Sequence, residues 1–212
     1  MSWNPRLPQE IEAESFRRID AQVGAHDFSP EVWPVVRRMI HTTGDLGYLQ
    51  TVRVHPQAVA AGVEALRRGR AVGTDTRMVL AGISTGRLGR LGVEPFCILD
   101  APEVALEAAR QGTTRTAAGL ERALPLLAGG IVAIGNAPTA LLRLLELLAA
   151  GAPPPALVVG LPVGFVNAAE SKDALIQQNC PYITALGPKG GSAVAAAVIN
   201  ALAVMALEEI PS

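Results

Sequence analysis

One ionisable imidazole stands where a helical pattern gives out, in Arg37-Arg38-Met39-Ile40-His41-Thr42-Thr43-Gly44-Asp45. Upstream of it, Val32, Val35, Val36, Met39 and Ile40 recur at the three-, four- and seven-residue spacings that put apolar groups on one helix face, with Arg37 and Arg38 turned away. Thr42, Thr43 and Gly44 end that helix. His41 is thereby anchored through its backbone while its side chain is free to face a cleft, a better placement for a proton donor than a mobile loop. A plainer role suits the same position, because the negative end of a helix dipole favours histidine there. Spacing alone leaves both readings open.

Three glycine-rich turns could meet an anion. Gly135-Asn136-Ala137-Pro138-Thr139 follows an apolar run and opens a helix, which exposes backbone N–H groups at a helix N-terminus. Gly187-Pro188-Lys189-Gly190-Gly191-Ser192 does the same before the last helix and adds a cation, although it does not fit the nucleotide P-loop pattern. The third turn runs from Gly160 through Lys172 and reads equally as an anion site or as tight packing before a capped helix. None of the three fits the dinucleotide fingerprint.

The elements that must position these groups follow from composition and period. Half of the 212 residues are hydrophobic, 17% are charged and only 4% are aromatic, so the core is large and aliphatic. A balance of 18 Lys+Arg against 19 Asp+Glu offers no basic field for nucleic acid, and the apolar runs are too short to span a membrane. Cys97 and Cys180 belong to no metal-binding spacing and read as buried, reduced thiols. His26, His41 and His55 lack helical partners, so no metal site is expected. No charged-then-apolar leader is read at 1–10, and the expected compartment is the cytoplasm.

An amphipathic helix is expected over 8–23, with Ser15 one residue before a core Phe16, and a second is expected to start at Pro30 with Ser29 as its N-cap. An extended stretch at 48–54 leads to a helix ending at Arg70. Five β-prone runs then alternate with helices: 71–73, 95–99, 131–134, 156–159 and 182–185, with helical segments at 76–81, 101–111, 118–127, 138–150, 168–177 and 191–208. Near-continuous apolar strands separated by helices describe one domain, residues 1–212, built as a doubly wound α/β fold on a mostly parallel sheet of about five strands. Ligands in such folds sit beyond the carboxyl ends of the strands, where Thr74-Asp75, Gly135-Asn136 and Gly187-Pro188-Lys189 fall.

Taken together, RMIHTTGD, GNAPTALL, LPVGFVNAAESKDAL and PYIT followed by GGSAVAAAVINAL closely resemble, in order and spacing, the precorrin-8X methylmutase family of corrin (vitamin B12) biosynthesis. The resemblance runs from the Ser15-Phe16 helix to the last helix. It implies a flavodoxin-like three-layer α/β/α sandwich, a homodimer, and an isomerase that moves a methyl group from C11 to C12 of the macrocycle. The product is hydrogenobyrinate, or cobyrinate when cobalt is already in the ring. No separate cofactor is implied. The partners are the corrinoid tetrapyrrole itself and neighbouring pathway enzymes that would take part in hand-over, with neither nucleic acid nor membrane. The family's catalytic histidine falls on His41. Leu186 stands where many members carry an arginine, so the resemblance supplies no carboxylate contact there.

A greasy ring fringed with carboxylates needs apolar walls, local cations and exposed amides. The candidates in this sequence are Ser15, Arg17, Thr85, Arg115, Thr116, Asn136, Lys172 and Lys189. An imidazole, with an ordinary pKa of ~6.5, can lend a proton to the conjugated ring and recover it after the shift, a step worth ~10²–10⁴-fold. A non-catalytic corrinoid carrier of the same fold is the alternative, and a flavin or nucleotide binder is disfavoured by the glycine turns.

Overall fold

The computed structural model describes residues 7–208, so residues 1–6 of the stretch read for a leader lie outside it. From the amino end come α1 (Pro8–Val23), α2 (Trp33–Thr43), a single helical turn α3 (Tyr48–Thr51) running into β1 (Val52–Val54), α4 (Ala58–Arg67), β2 (Val72–Thr74), α5 (Arg77–Gly82), α6 (Thr85–Arg90) and β3 (Phe96–Cys97). The second half contains α7 (Val104–Gln111), α8 (Arg115–Leu127), β4 (Ile131–Ile134), α9 (Pro138–Ala149), β5 (Leu157–Gly160), α10 (Ala168–Leu175), β6 (Tyr182–Ala185) and α11 (Ser192–Glu208). The six strands form one sheet in the order β1-β6-β5-β4-β2-β3, parallel except for β1, which runs antiparallel to β6.

Strand residues alternate between two cores, which is why uniformly apolar runs make a sheet here. Ile131, Ala133, Leu157 and Val159 face one core, and Val132, Ile134 and Val158 face the other. The first core is closed by α2, α4, α5 and α11, and the second by α8, α9 and α10. Helix α11 lies at the centre of its layer, packed on α2, α4 and α5, so its run Val194–Ala203 is apolar on nearly every side. The result is a three-layer α/β/α sandwich. Among the described residues no helix is long and apolar enough to cross a membrane.

Several local features depart from expectation. A sixth strand exists: within 48–54, Tyr48 is buried on a helical turn and only Val52, Arg53 and Val54 pair, opposite Ala185, Thr184 and Ile183. Helix α2 starts at Trp33 rather than Pro30, because the Ser29 carbonyl, not its hydroxyl, accepts from the Val32 and Trp33 N–H groups at 3.0 and 2.9 Å. Helix α8 starts at Arg115, since the Thr114 hydroxyl caps it by accepting from the Ala117 N–H at 3.2 Å. Cys97 is buried as expected, but Cys180 is only half-buried.

Candidate functional site

Buried Met39 and Ile40 fix the last turn of α2 against the core. The helix stops at Gly44, whose backbone is left-handed (φ 65°, ψ 17°) and whose N–H donates to the Ile40 carbonyl at 2.8 Å. His41, half-buried on that turn, meets Phe16 of α1 edge to face, with ring centroids 5.2 Å apart at 68°. Phe16 is itself held by two guanidinium groups, Arg37 at 4.4 Å and Arg38 at 4.7 Å from its centroid. Each arginine is tied back to α1: Arg37 donates to Asp20 at 2.8 Å and Arg38 to Glu12 at 2.5 Å. The hydrogen bond from Arg38 holds the Glu12 carboxyl below its usual range, helped by the charges of Arg38 and Arg87.

His41 opens into a cavity of about 470 Å³, lined also by Arg38, Thr42, Arg87, Ala197 and Asn200. An adjoining cavity of about 700 Å³ shares Arg38 and Arg87 and adds Arg90, Phe16, Val204 and Met205. The groove thus combines apolar walls from α1 and α11 with cations from α2 and α6. Asn200 places the α6 side of it, since its amide donates to the Gly82 carbonyl at 2.9 Å and its carbonyl accepts from the Ser84 N–H at 2.8 Å. Chemically, the groove can bind an acidic, largely apolar molecule and present an imidazole to it.

The other candidates are dispersed. Ser15 turns its hydroxyl onto the Ile11 carbonyl of its own helix, at 2.8 Å, and Arg17 is exposed and paired with Glu14, so α1 delivers Phe16 and Glu12 to the groove instead. Thr85 opens α6, but its side chain lines neither cavity. Arg115 is exposed at the start of α8. Thr116 shares a hydroxyl cluster with Thr114 and Thr139, each within 3.2 Å. Lys189 reaches the turn beyond His41 and pairs with Asp45 at 2.6 Å, which holds the Asp45 carboxyl below the usual range.

The chain matches the family model for precorrin-8X methylmutase over residues 10–205. It is 43% identical over 199 residues to the cobalt-precorrin-8 methylmutase of Priestia megaterium, covering 94% of this chain and 88% of that one. The chain belongs to the precorrin-8X methylmutase family. It is accordingly an isomerase of cobalamin biosynthesis. The precorrin-8X methylmutase of Pseudomonas aeruginosa is likewise 43% identical, over 92% of this chain and 94% of that one, so identity does not separate the cobalt-free from the cobalt-bearing name. A crystal structure of the precorrin-8X methylmutase from Thermus thermophilus superposes with a TM-score of 0.86 at 45% identity, covering 93% of this chain and 98% of that one.

In this methylmutase the turn after β4 is occupied by the protein itself. Asp75, 1% exposed at the end of β2, accepts from the backbone N–H groups of Gly135, Asn136 and Ala137 at 3.0, 2.7 and 2.7 Å. Burial pushes its carboxyl up from the ordinary range and the three donors pull it back. The anion expected at that turn is therefore Asp75, and the Asn136 side chain is left exposed. The strand order reverses between β2 and β4, where doubly wound folds commonly bind ligands, and here an internal carboxylate bridges the two strand ends.

Lys172 also serves the fold. It is fully buried, and its ammonium donates to the Lys189 carbonyl at 2.6 Å, locking α10 to the turn after β6. Burial pushes its pKa down from 10.5 to about 8, with the charge of Asp173 opposing. Between those values the folded chain binds fewer protons than the unfolded chain, so this group's contribution to stability rises with pH through the window. Below about 8 it opposes folding by roughly 3 kcal/mol, at ~1.36 kcal/mol per pH unit. The stability of the parent minus that of Lys172→Met, from urea melts, is expected to increase between pH 8 and 10.5. A difference that stays flat across that range rules out a buried, depressed lysine.

Proposed function

We propose that this methylmutase moves the methyl group from C11 to C12 of precorrin-8X or its cobalt form, with His41 as general acid. The observation that carries the reading is the His41 imidazole opening into a groove whose other charged groups include Arg38 and Arg87. In the proposed step imidazolium protonates the conjugated ring, the methyl migrates with its bonding pair to the electron-poor carbon, and the proton returns to the imidazole. Nothing is oxidised or hydrolysed. Arg38 and Arg87 attract the peripheral carboxylates, and the walls from α1 and α11 hold the reacting carbons in one geometry. Incubation with cobalt-free and cobalt-bearing precursor, followed by the visible spectrum, is expected to show hydrogenobyrinate or cobyrinate. Conversion of neither form would overturn the reading.

We also propose a two-fold homodimer. Phe165 and Val166 are 95% and 78% exposed on a loop pinned by the Gly164 N–H donating to the Pro188 carbonyl at 3.1 Å, and apolar surface held that firmly is suited to an interface. Sedimentation at micromolar concentration is expected to report a dimer, and a monomer alone would remove the idea.

A further inference from the structure

Gly86-Arg87-Leu88-Gly89-Arg90-Leu91 is a tandem Gly-Arg-Leu repeat, and most of it lies in α6. Residues three apart on a helix are neighbours, so the repeat sorts its residue types onto separate strips. The leucines are buried and anchor the turn to the core, while both arginines and both glycines are exposed. Among the described residues neither Arg87 nor Arg90 makes an ion pair or a side-chain hydrogen bond. Arg87 acts on Glu12 only through space, and Arg38 already holds that carboxylate. In contrast to Arg37 and Arg38, these two cations are unpaired where they line the groove.

The glycines strengthen the case. Glycine is the poorest ordinary residue for a helix, so each one calls for a reason. At Gly82 of α5 the reason is packing, since an added Cβ would come within 2.7 Å of Ala196. At Gly86 and Gly89 an added Cβ would meet nothing within 4 Å, and neither has a positive φ. The fold itself does not require them. What a bare helix surface between unpaired arginines does permit is close approach of a ligand to the backbone.

We infer that the exposed face of α6 is a carboxylate-binding ledge. Arg87 and Arg90 hold neighbouring peripheral carboxylates of the ring, Gly86 and Gly89 let the ring edge come close, and the ledge thereby sets the register of the macrocycle against His41. This rests on the groove being the ring site. The test uses cobyrinate and the same corrinoid with its carboxylates amidated, each measured by equilibrium dialysis on its visible bands. The proteins are the parent, Arg87→Ala/Arg90→Ala and Gly86→Ala/Gly89→Ala, with thermal melts alongside.

The arginine pair variant is expected to bind cobyrinate at least tenfold more weakly, with a shallower salt dependence, and to bind the amidated ring as the parent does. The glycine pair variant is expected to melt higher yet bind cobyrinate more weakly, a combination that a purely structural role does not produce. If the arginine variant binds cobyrinate like the parent, or loses both rings equally, the ledge is wrong. If the glycine variant melts higher and binds undiminished, close approach to the backbone is wrong. A parent that converts substrate while both variants bind like it removes the ledge alone. A parent that neither binds cobyrinate nor converts substrate removes the groove reading together with the ledge.

Discussion

His41→Asn is expected to fold and bind the ring like the parent while turnover falls by about 10²–10⁴-fold. The folding half rests on what the side chain touches: one edge-to-face contact with Phe16, worth ~0.5–1.5 kcal/mol, and a helix-end dipole interaction worth ~0.3–1 kcal/mol. The catalytic half rests on the lack of a substitute donor nearby. Thr42 and Thr43 do not titrate near neutrality, Asp45 is kept ionised by Lys189, and Glu12 is kept ionised by Arg38. Product formation by parent and variant, with ring binding measured in parallel, checks both halves. A variant that binds the ring and keeps most of the parental rate would make His41 a structural residue and the proposed mechanism wrong.

Much of this was readable in the chain because the signals are local. The apolar runs at 131–134 and 156–159 are surrounded by helical periods, and they lie in the middle of the sheet. His41 was placed by the period of its own helix and by the glycine that ends it. What was not readable depends on elements meeting across the fold. Phe16, Arg38, Arg87 and Asn200 come from α1, α2, α6 and α11, and no spacing in the sequence announces that they face one groove. Helix α6 is hard to read from the chain because Gly86 and Gly89 depress its propensity, although Leu88 and the capping Leu91 keep a three-residue spacing. Lys172 reads as a carboxylate contact because lysines are rarely buried whole, and only its contact with the Lys189 carbonyl shows what buries this one. The turn after β4 reads as a place that can meet an anion, but its anion lies sixty residues earlier in the chain. The available clue was an aspartate directly after another strand.

That aspartate carries the second large expectation. Asp75→Ala is expected to lower stability by about 2–5 kcal/mol, because it strips the acceptor from three backbone donors at once. Gly135 and Ala137 are buried, so their N–H groups have no easy recourse to solvent, whereas Asn136 is exposed and can turn to water. At ~1–3 kcal/mol per buried donor left unmade, two orphaned groups set the scale, offset in part by no longer burying a carboxylate. Little room exists for the turn to relax. A Cβ at Gly135 would already come within 2.8 Å of the Ser192 Cα and 3.0 Å of the Gly191 carbonyl, so the start of α11 presses against it. Asp75→Asn is expected to lose about half as much, since its oxygen can still accept from Asn136 and Ala137 while its NH₂ group faces the Gly135 N–H. In a chain of this size the alanine variant should melt roughly 5–15 °C below the parent. Urea melts with an unchanged m-value would locate the loss in the folded state. If Asp75→Ala stays within about 0.5 kcal/mol of the parent, an ordinary surface-like change, then water satisfies those donors and the carboxylate is not what joins β2 to β4.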